Sequence, residues 1–245
     1  MPIPTQSNPE SLGAIADSAV FFGHQSVGMN ILDGVPEVYA SAGVTAPEVI
    51  QSSAPPNTQS AIAHEFVGVN GDPASKTAAF ADRLRSGYGD WADVAFMKLC
   101  YVDVTAASDP EAIFADYKAT LDALEAEYPH TVFLHLTAPL TTEPGLTNRL
   151  KVMVGRGTDH VGDNVVRQKY NELVRKAYGD TGRLVDVAEM ESTAPTGERV
   201  SGESDGDPYY ALYEGYAADP GHLNDLGARV VAAGLLDVIG QNLGE

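Results

Sequence analysis

The sequence has few basic residues, one cysteine and no long hydrophobic run, and each shortage excludes a class of protein. Lysine and arginine total 15 against 34 aspartate and glutamate residues, which gives a formal net charge of −19. Such a surface repels nucleic acid and anionic membranes, so we expect neither as a partner. No apolar stretch reaches the roughly 18 residues that a membrane-crossing helix needs. Because Cys100 is the only cysteine, an intrachain disulfide and a cysteine-rich zinc site are both excluded.

Signals for targeting, nucleotides and metals are also missing. The N-terminal segment MPIPTQSNPESLG has neither a basic start nor an apolar h-region, so no signal peptide is visible. We leave the location open between the cytoplasm and a secreted or periplasmic site reached after removal of a signal peptide. The motifs G-x-G-x-x-G and G-x-x-x-x-G-K-[ST] do not occur, which argues against a nucleotide-binding protein. The histidines show no ligand-like spacing such as H-x-x-x-H, so we expect no metal site and no cofactor.

Apolar runs of strand length alternate with segments of helical spacing. The runs are rich in Val, Phe and Leu and lack polar alternation, as in strands covered on both faces; they are residues 19–22, 94–99, 131–136 and 184–187. The helical segments are residues 75–84, 109–128, 164–178 and 225–243. This order predicts a single α/β domain over residues 1–245, a three-layer α/β/α sandwich with a central, mostly parallel, flavodoxin-like sheet. Residues 1–18 are predicted to form an N-terminal extension, and residues 192–220 a long irregular loop near the site.

Ligands of open parallel sheets bind outside the carboxyl ends of the strands. Three predicted strand ends carry different chemistry: Ser26, residues 100–103 and residues 137–139. We therefore expect these three loops to meet at one crevice.

Ser26 lies in the stretch FFGHQSVGMN at residues 21–30, directly after an apolar run and between Gly23 and Gly28. The glycines predict a sharp turn with the serine at its bend. One interpretation is a turn alone, because serine is common in turns; the other is a turn that presents a nucleophile. The stretch is not the G-x-S-x-G nucleophile elbow, since position 24 is histidine.

A second polar cluster, ADPGHLND, precedes the last predicted helix and holds Asp219 and His222 three residues apart. A hydroxyl needs a base to become a nucleophile near neutral pH, and histidine titrates in the right range. A carboxylate behind the imidazole fixes its tautomer and stabilises the imidazolium. The alternative interpretation is a turn followed by a surface or capping histidine.

Together the two segments resemble the SGNH/GDSL hydrolase superfamily. Residues 23–26 stand where that family has its nucleophile block, and residues 219–224 match its Asp-x-x-His block. Residues 69–72 resemble the second block, and residues 164–171 and 184–187 resemble the helix and strand before the last block. The similarity runs in order from about residue 19 to residue 240 and implies the family's fold, with Ser26 as nucleophile, His222 as base and Asp219 as its partner.

The resemblance also implies an oxyanion hole that includes the backbone N–H groups of Ser26 and Gly71. Here the sequence departs from the family, because the third block usually ends Gly-x-Asn-Asp and residues 99–103 read LCYVD. Val102 cannot donate through its side chain, and losing one such donor lowers turnover by on the order of 10²–10³. The sequence leaves the remaining donor open among Asn70, Lys98 and Tyr101.

The function expected from the resemblance is a serine esterase that acts on small carboxylic esters, with O-acetyl groups on carbohydrates as one candidate substrate. The expected substrate contacts are His24, Gln25, Tyr209, Tyr210 and Tyr213. Two alternatives remain at this stage: an acyltransferase with the same triad, and a carbohydrate-binding protein whose active site has decayed. The sequence does not indicate the oligomeric state.

Overall fold

A six-stranded parallel sheet forms the centre of the computed structural model, which describes residues 7–144 and 160–244. The strand order is β2-β3-β1-β4-β5-β6, and every neighbouring pair is parallel. The strands are β1 (Ala19–His24), β2 (Val49–Gln51), β3 (Ala61–Phe66), β4 (Val94–Met97), β5 (Val132–Leu136) and β6 (Leu184–Val185). The predicted α/β/α sandwich with a parallel sheet is confirmed.

Helices cover both faces of this sheet. They are α1 (Pro9–Ala16), α2 (Ser26–Ala42), α3 (Pro73–Arg83), α4 (Gly89–Trp91), α5 (Pro110–Glu127), α6 (His160–Tyr178), α7 (Val187–Ser192) and α8 (Asp225–Leu243). One apolar core joins a sheet face to α1, α2 and α8, and the other joins the opposite face to α3, α5 and α6. No helix in the described part of the chain is long and apolar enough to span a membrane.

The four predicted strands are present, and two further strands precede β4. The strand β3 reads AIAHEF, so His64 and Glu65 interrupt its apolar run although four of its residues are buried. The edge strand β2 has three residues and no buried position. Neither segment has the continuous apolar pattern on which the prediction relied.

The predicted N-terminal extension and the predicted irregular loop both contain regular secondary structure. The predicted N-terminal extension contains α1, which buries Leu12 and Ile15 against α8; residues 1–6 lie outside the described part of the chain. The predicted loop at residues 192–220 contains an antiparallel hairpin of β7 (Ser201–Ser204) and β8 (Asp207–Tyr210) and a 3₁₀ turn. The prediction was wrong there because short strands of Gly, Ser, Asp and Tyr give no apolar alternation.

The predicted sharp turn at Ser26 is also wrong, since Ser26 is the first residue of the 17-residue helix α2. Its glycines serve close packing. A Cβ atom at Gly28 would lie 2.3 Å from the His24 ring, and one at Gly34 would lie 2.5 Å from the Ala228 carbonyl oxygen. Gly34 therefore lets α2 approach the first turn of α8 more closely than any larger residue would allow.

We expect Gly34→Ala to destabilise the protein because the new methyl group overlaps the α8 backbone. Overpacking of this kind costs about 1–3 kcal/mol and outweighs the gain of up to about 1 kcal/mol from replacing a helical glycine. Gly13→Ala in α1 is the matched control, since a methyl group added there would have no neighbouring atom within 4 Å. Thermal and urea unfolding should show Gly34→Ala below the wild type and Gly13→Ala at or above it; equal stability of the two variants would contradict the packing argument.

Candidate active site

Ser26 lies just beyond the carboxyl end of β1, after Gln25, and is the first residue of α2. Its Oγ is 3.0 Å from Nε2 of His222. The backbone N–H groups at a helix start have no partner within the helix and carry the positive end of its dipole. The serine is therefore placed where negative charge would be stabilised.

His222 is held from behind by Asp219. Its Nδ1 is 2.8 Å from Oδ2 and 3.0 Å from Oδ1 of that carboxylate. A carboxylate only accepts, so Nδ1 carries the proton in the neutral imidazole and Nε2 presents its lone pair to the serine hydroxyl. The three side chains form a continuous Ser–His–Asp hydrogen-bond chain.

The Asp219 carboxylate also organises the turn that contains it. Its Oδ1 accepts from the backbone N–H groups of Gly221 and His222 at 2.9 Å and 3.0 Å. Partial burial raises the pKa of Asp219, but the hydrogen bonds from Gly221 and the His222 ring outweigh it and hold that pKa below its usual value. The carboxyl is thus ionised across the pH range in which an imidazole can act as a base.

Packing of α2 on α8 brings together residues that are 196 positions apart in the sequence. Asn224 caps the start of α8 by accepting a hydrogen bond from the Gly227 N–H. His222 comes two residues before this cap, at the end of α8 that α2 approaches at Gly34. The Leu223 N–H donates to Asn30 Oδ1 at 3.3 Å, which joins the histidine turn directly to α2.

Tyr101 forms one wall beside the imidazole. Its ring meets the His222 ring edge to face, with 5.7 Å between centroids, and a Cβ atom at Gly221 would lie 2.5 Å from it. The Arg167 guanidinium donates to the Tyr101 carbonyl at 2.9 Å and holds this turn. Burial, followed by the charge of Asp219, raises the pKa of Tyr101, so its hydroxyl stays neutral.

Two of the predicted oxyanion donors have other roles. The Gly71 N–H donates to Asp103 Oδ1 at 2.8 Å, so the prediction of a free Gly71 N–H is wrong for this arrangement. Lys98 is 0% exposed and donates to the Leu99 carbonyl at 3.1 Å, and burial lowers its pKa. Its ammonium lies inside the protein and does not reach a bound ester. Asn70 is exposed, and its Oδ1 accepts from Lys76 Nζ at 2.8 Å.

His24 and Gln25 support the site from within, so the prediction of a substrate contact at His24 is wrong. The His24 ring is fully buried, with Nδ1 2.7 Å from the Gln25 carbonyl and Nε2 3.0 Å from His64 Nδ1. Burial is the main cause that lowers the pKa of His24 to about 3. The Gln25 Nε2 group donates to the carbonyls of Val67 and Gly68, both at 3.0 Å, and holds the loop after β3 against the start of α2.

The three predicted tyrosines separate in the structure. Tyr209 is buried, and its hydroxyl donates to Glu143 Oε1 at 2.9 Å. Tyr210 lies under the Arg199 guanidinium at 3.5 Å. Only Tyr213 lines an open cleft of about 350 Å³; the other lining residues are Glu143, Ala194, Glu198, Arg199, Val200 and Ser201. The Thr142 N–H donates to the Pro220 carbonyl at 2.9 Å, so the segment before Glu143 adjoins the Asp219–His222 turn.

Sequence reasoning missed a buried ion pair next to the site. Lys76 and Asp103 are both 0% exposed at the side chain, and Nζ lies 2.5 Å from Oδ2. Lys76 lies on α3, and a lysine in a predicted helix is normally expected on the surface. No spacing in the sequence links it to Asp103. Among the residues that the structure describes, no cluster of three His, Cys, Asp or Glu side chains could hold a metal ion.

Comparison with known proteins identifies the fold. No family model matches the chain, and no curated protein matches its sequence. A candidate platelet activating factor from Streptococcus pneumoniae matches 97% of this chain and 94% of its own, with a TM-score of 0.52 and 14% identity. A candidate GDSL-family lipolytic protein from Desulfitobacterium hafniense matches 90% and 99%, with a TM-score of 0.51 and 11% identity. A candidate GDSL-like lipase from Parabacteroides merdae matches 91% and 96%, with a TM-score of 0.53 and 12% identity.

These likenesses cover nearly all of each chain at low sequence identity, so they describe the fold. The chain has the SGNH/GDSL hydrolase fold, as its sequence blocks predicted.

We expect His24 to stay neutral in the folded protein down to about pH 4, because burial disfavours the imidazolium. Its proton should be on Nδ1, because Nδ1 faces the Gln25 carbonyl, which can only accept a hydrogen bond. Long-range ¹H–¹⁵N correlation spectra over a pH series would report both the tautomer and the titration. In urea the same ring should titrate near pH 6.5.

The unfolded chain therefore binds this proton between about pH 6.5 and pH 3, where the folded chain does not. The stability that His24 contributes is complete above pH 6.5 and is lost as the pH falls toward 3. A folded-state midpoint near pH 6.5 would contradict the buried, neutral imidazole.

Proposed function

We propose that the protein is a serine esterase that hydrolyses small carboxylic esters. The observation that carries the proposal is the Ser26–His222–Asp219 chain, with 3.0 Å from Oγ to Nε2 and 2.8 Å from Nδ1 to the carboxylate. Nucleophile, base and orienting carboxylate are within hydrogen-bond reach of one another, which is the geometric requirement for a serine triad. The SGNH/GDSL fold of the chain supports the same reaction class.

The mechanism follows from the order of these contacts. Ser26 Oγ attacks the ester carbonyl while His222 Nε2 accepts the hydroxyl proton, and the carbonyl oxygen becomes an oxyanion. The tetrahedral intermediate collapses when His222 returns the proton to the leaving alcohol, which leaves an acyl-serine. Water then attacks the acyl group with His222 again as base, and the carboxylic acid and free Ser26 are released.

Asp219 and the start of α2 supply the electrostatic support. The ionised Asp219 keeps the proton on Nδ1 and stabilises the imidazolium in both half-reactions. The Ser26 N–H lies at the first position of α2 and donates toward the oxyanion, and the helix dipole favours negative charge there. An assembled triad favours an enzyme over a binding protein with a decayed site.

The cleft beside the catalytic turn favours a polar alcohol portion, such as a sugar that carries an O-acetyl group. Glu143, Glu198, Arg199 and Ser201 supply hydrogen-bonding groups along it, and Tyr213 supplies a ring. Hydroxyl groups of a sugar can exchange hydrogen bonds with these side chains while one sugar face packs on the tyrosine. This arrangement supports acetylated carbohydrates as the substrate class.

Ser26→Ala and His222→Ala are each expected to lower ester hydrolysis by on the order of 10⁶, because members of a serine triad act as a unit. The measurement is turnover of p-nitrophenyl acetate by purified protein, together with labelling by a fluorophosphonate read by mass spectrometry. Labelling should occur at Ser26 in the wild type and disappear in both variants.

Ser86→Ala and His130→Ala are the matched controls, since both residues are exposed. They precede β4 and β5 in the chain and so lie toward the amino ends of these strands, away from the triad. Both variants should keep full activity. Retention of most hydrolysis in Ser26→Ala would end the proposal.

Tyr213→Ala is expected to raise KM for an acetylated xylo-oligosaccharide and leave hydrolysis of p-nitrophenyl acetate unchanged. An aromatic contact worth about 0.5–1.5 kcal/mol corresponds to a rise of roughly twofold to tenfold. The small ester is the internal control, because it has no sugar ring to pack on Tyr213. An unchanged KM for the oligosaccharide would remove Tyr213 from the substrate site.

A further inference from the structure

Two buried histidines outside the triad form a hydrogen-bond chain that ends on the residue before the nucleophile. His24 is the last residue of β1, and His64 lies on the neighbouring strand β3. Phe22 is opposite His64 in the parallel register, so His24, two residues further along β1, projects its ring to the same face of the sheet. His24 Nε2 is 3.0 Å from His64 Nδ1, and His24 Nδ1 is 2.7 Å from the Gln25 carbonyl oxygen. The chain thus joins the interior of the sheet to the backbone at the start of α2.

The direction of this chain follows from its last acceptor. A carbonyl oxygen only accepts, so His24 Nδ1 carries the proton and Nε2 of the neutral ring is an acceptor. The proton between the two rings therefore belongs to His64 Nδ1. His64 donates to His24 and His24 donates to Gln25, so each bond polarises the next in the same direction. Burial lowers the pKa of both rings and favours these neutral forms.

The carbonyl at the end of the chain belongs to the peptide group that carries the Ser26 N–H. This peptide bond is trans, like the others in the described part of the chain, so its C=O and N–H bonds point in opposite directions. The Gln25 oxygen accepts from the Gly28 N–H at 2.8 Å as well as from His24. One donor from the helix and one from the sheet thus hold this oxygen toward the interior. The Ser26 N–H consequently points away from α2, to the edge of the sheet where ligands of parallel strands bind.

The first turn of α2 is shaped around the His24 ring. A Cβ atom at Gly28 would lie 2.3 Å from His24 Cγ, so a larger residue there would displace the imidazole from the Gln25 carbonyl. Phe22 and Phe66 pack against the same ring, with centroids 4.6 Å and 5.3 Å away. These contacts fix the ring with Nδ1 on the carbonyl.

We propose that His24 is a positioning residue for ester hydrolysis, which holds the Gln25–Ser26 peptide so that the Ser26 N–H faces the oxyanion. The inference rests on the esterase function proposed above, in which that N–H is an oxyanion donor. A hydrogen bond to a carbonyl draws electron density toward its oxygen, so the same contact strengthens the N–H of that peptide as a donor. His64 fixes the tautomer of His24. Both histidines therefore act through the backbone of Ser26 and not by contact with the substrate.

The test compares His24→Asn with His24→Leu, two replacements of similar shape. The asparagine amide can place an N–H group where Nδ1 lies, whereas leucine has no donor. His24→Leu should lower kcat for p-nitrophenyl acetate by about 10- to 100-fold with KM within about threefold of the wild type, because a misdirected oxyanion donor loses part of its effect. His24→Asn should keep kcat within about fivefold of the wild type, because the bond to Gln25 is restored. Inactivation by a fluorophosphonate should follow the same order.

His24→Gln is the second variant and covers the case in which His24→Leu does not fold. Its amide lies near the position of Nε2, so it can meet His64 but not the Gln25 carbonyl. We therefore expect His24→Gln to be slower than His24→Asn, although both side chains are polar amides.

A packing role predicts a different order. Leucine fills a buried apolar site without an unpaired polar group, so a histidine that only filled space would be replaced better by leucine than by asparagine. His135→Leu and His135→Asn are the matched controls, because His135 is also buried but meets Tyr117 and Glu125 on the opposite face of the sheet. Their melting temperatures report the cost of removing a buried histidine, and their kcat should be unchanged.

Three outcomes would overturn the inference alone. They are a kcat for folded His24→Leu within about threefold of the wild type, a His24→Leu variant at least as fast as His24→Asn, and a His24→Gln variant as fast as His24→Asn. A wild type without Ser26-dependent hydrolysis would overturn the proposed function, and this inference with it.

Discussion

The close approach of α2 to α8 is the constraint on which the site depends. Ser26 is the first residue of α2 and His222 lies just before α8, and the two residues are 196 positions apart in the sequence. Gly34 removes the side chain that would separate the helices, and the Leu223–Asn30 hydrogen bond fixes their relative position. Apolar packing between the helices thus provides the free energy that keeps a polar hydrogen-bond chain in register.

The sequence predicted those elements whose signal lies in residues that are close together in the chain. The apolar run of β1 and the helical spacing of residues 225–243 are both signals carried by neighbouring residues. The Asp219–His222 spacing is local too, and motif order placed Ser26 opposite it. The strand β3 has no such signal, because His64 and Glu65 interrupt it. Gly28 was misinterpreted as a turn residue because its role, close packing against the His24 ring, depends on how the folded chain places that ring.

The oxyanion region was least predictable because long-range polar contacts decide it. Gly71 meets Asp103 across 32 positions, and Lys76 meets it across 27. Nothing in residue spacing indicates that one buried carboxylate will accept from a backbone N–H and from an ammonium at once. Removing either charge of this buried pair alone would leave the other unpaired, at about 3–5 kcal/mol. The pair therefore fixes α3 relative to the turn after β4.

The Asp219–His222 turn carries both the base and its carboxylate on four consecutive residues, and the carboxylate also binds the backbone of that turn. The histidine and the aspartate consequently move as one rigid unit. Formation of the triad then requires one contact between two segments, the start of α2 and the Asp219–His222 turn. On heating, activity should therefore be lost when α2 separates from α8, while the hydrogen bond between His222 and Asp219 is still present.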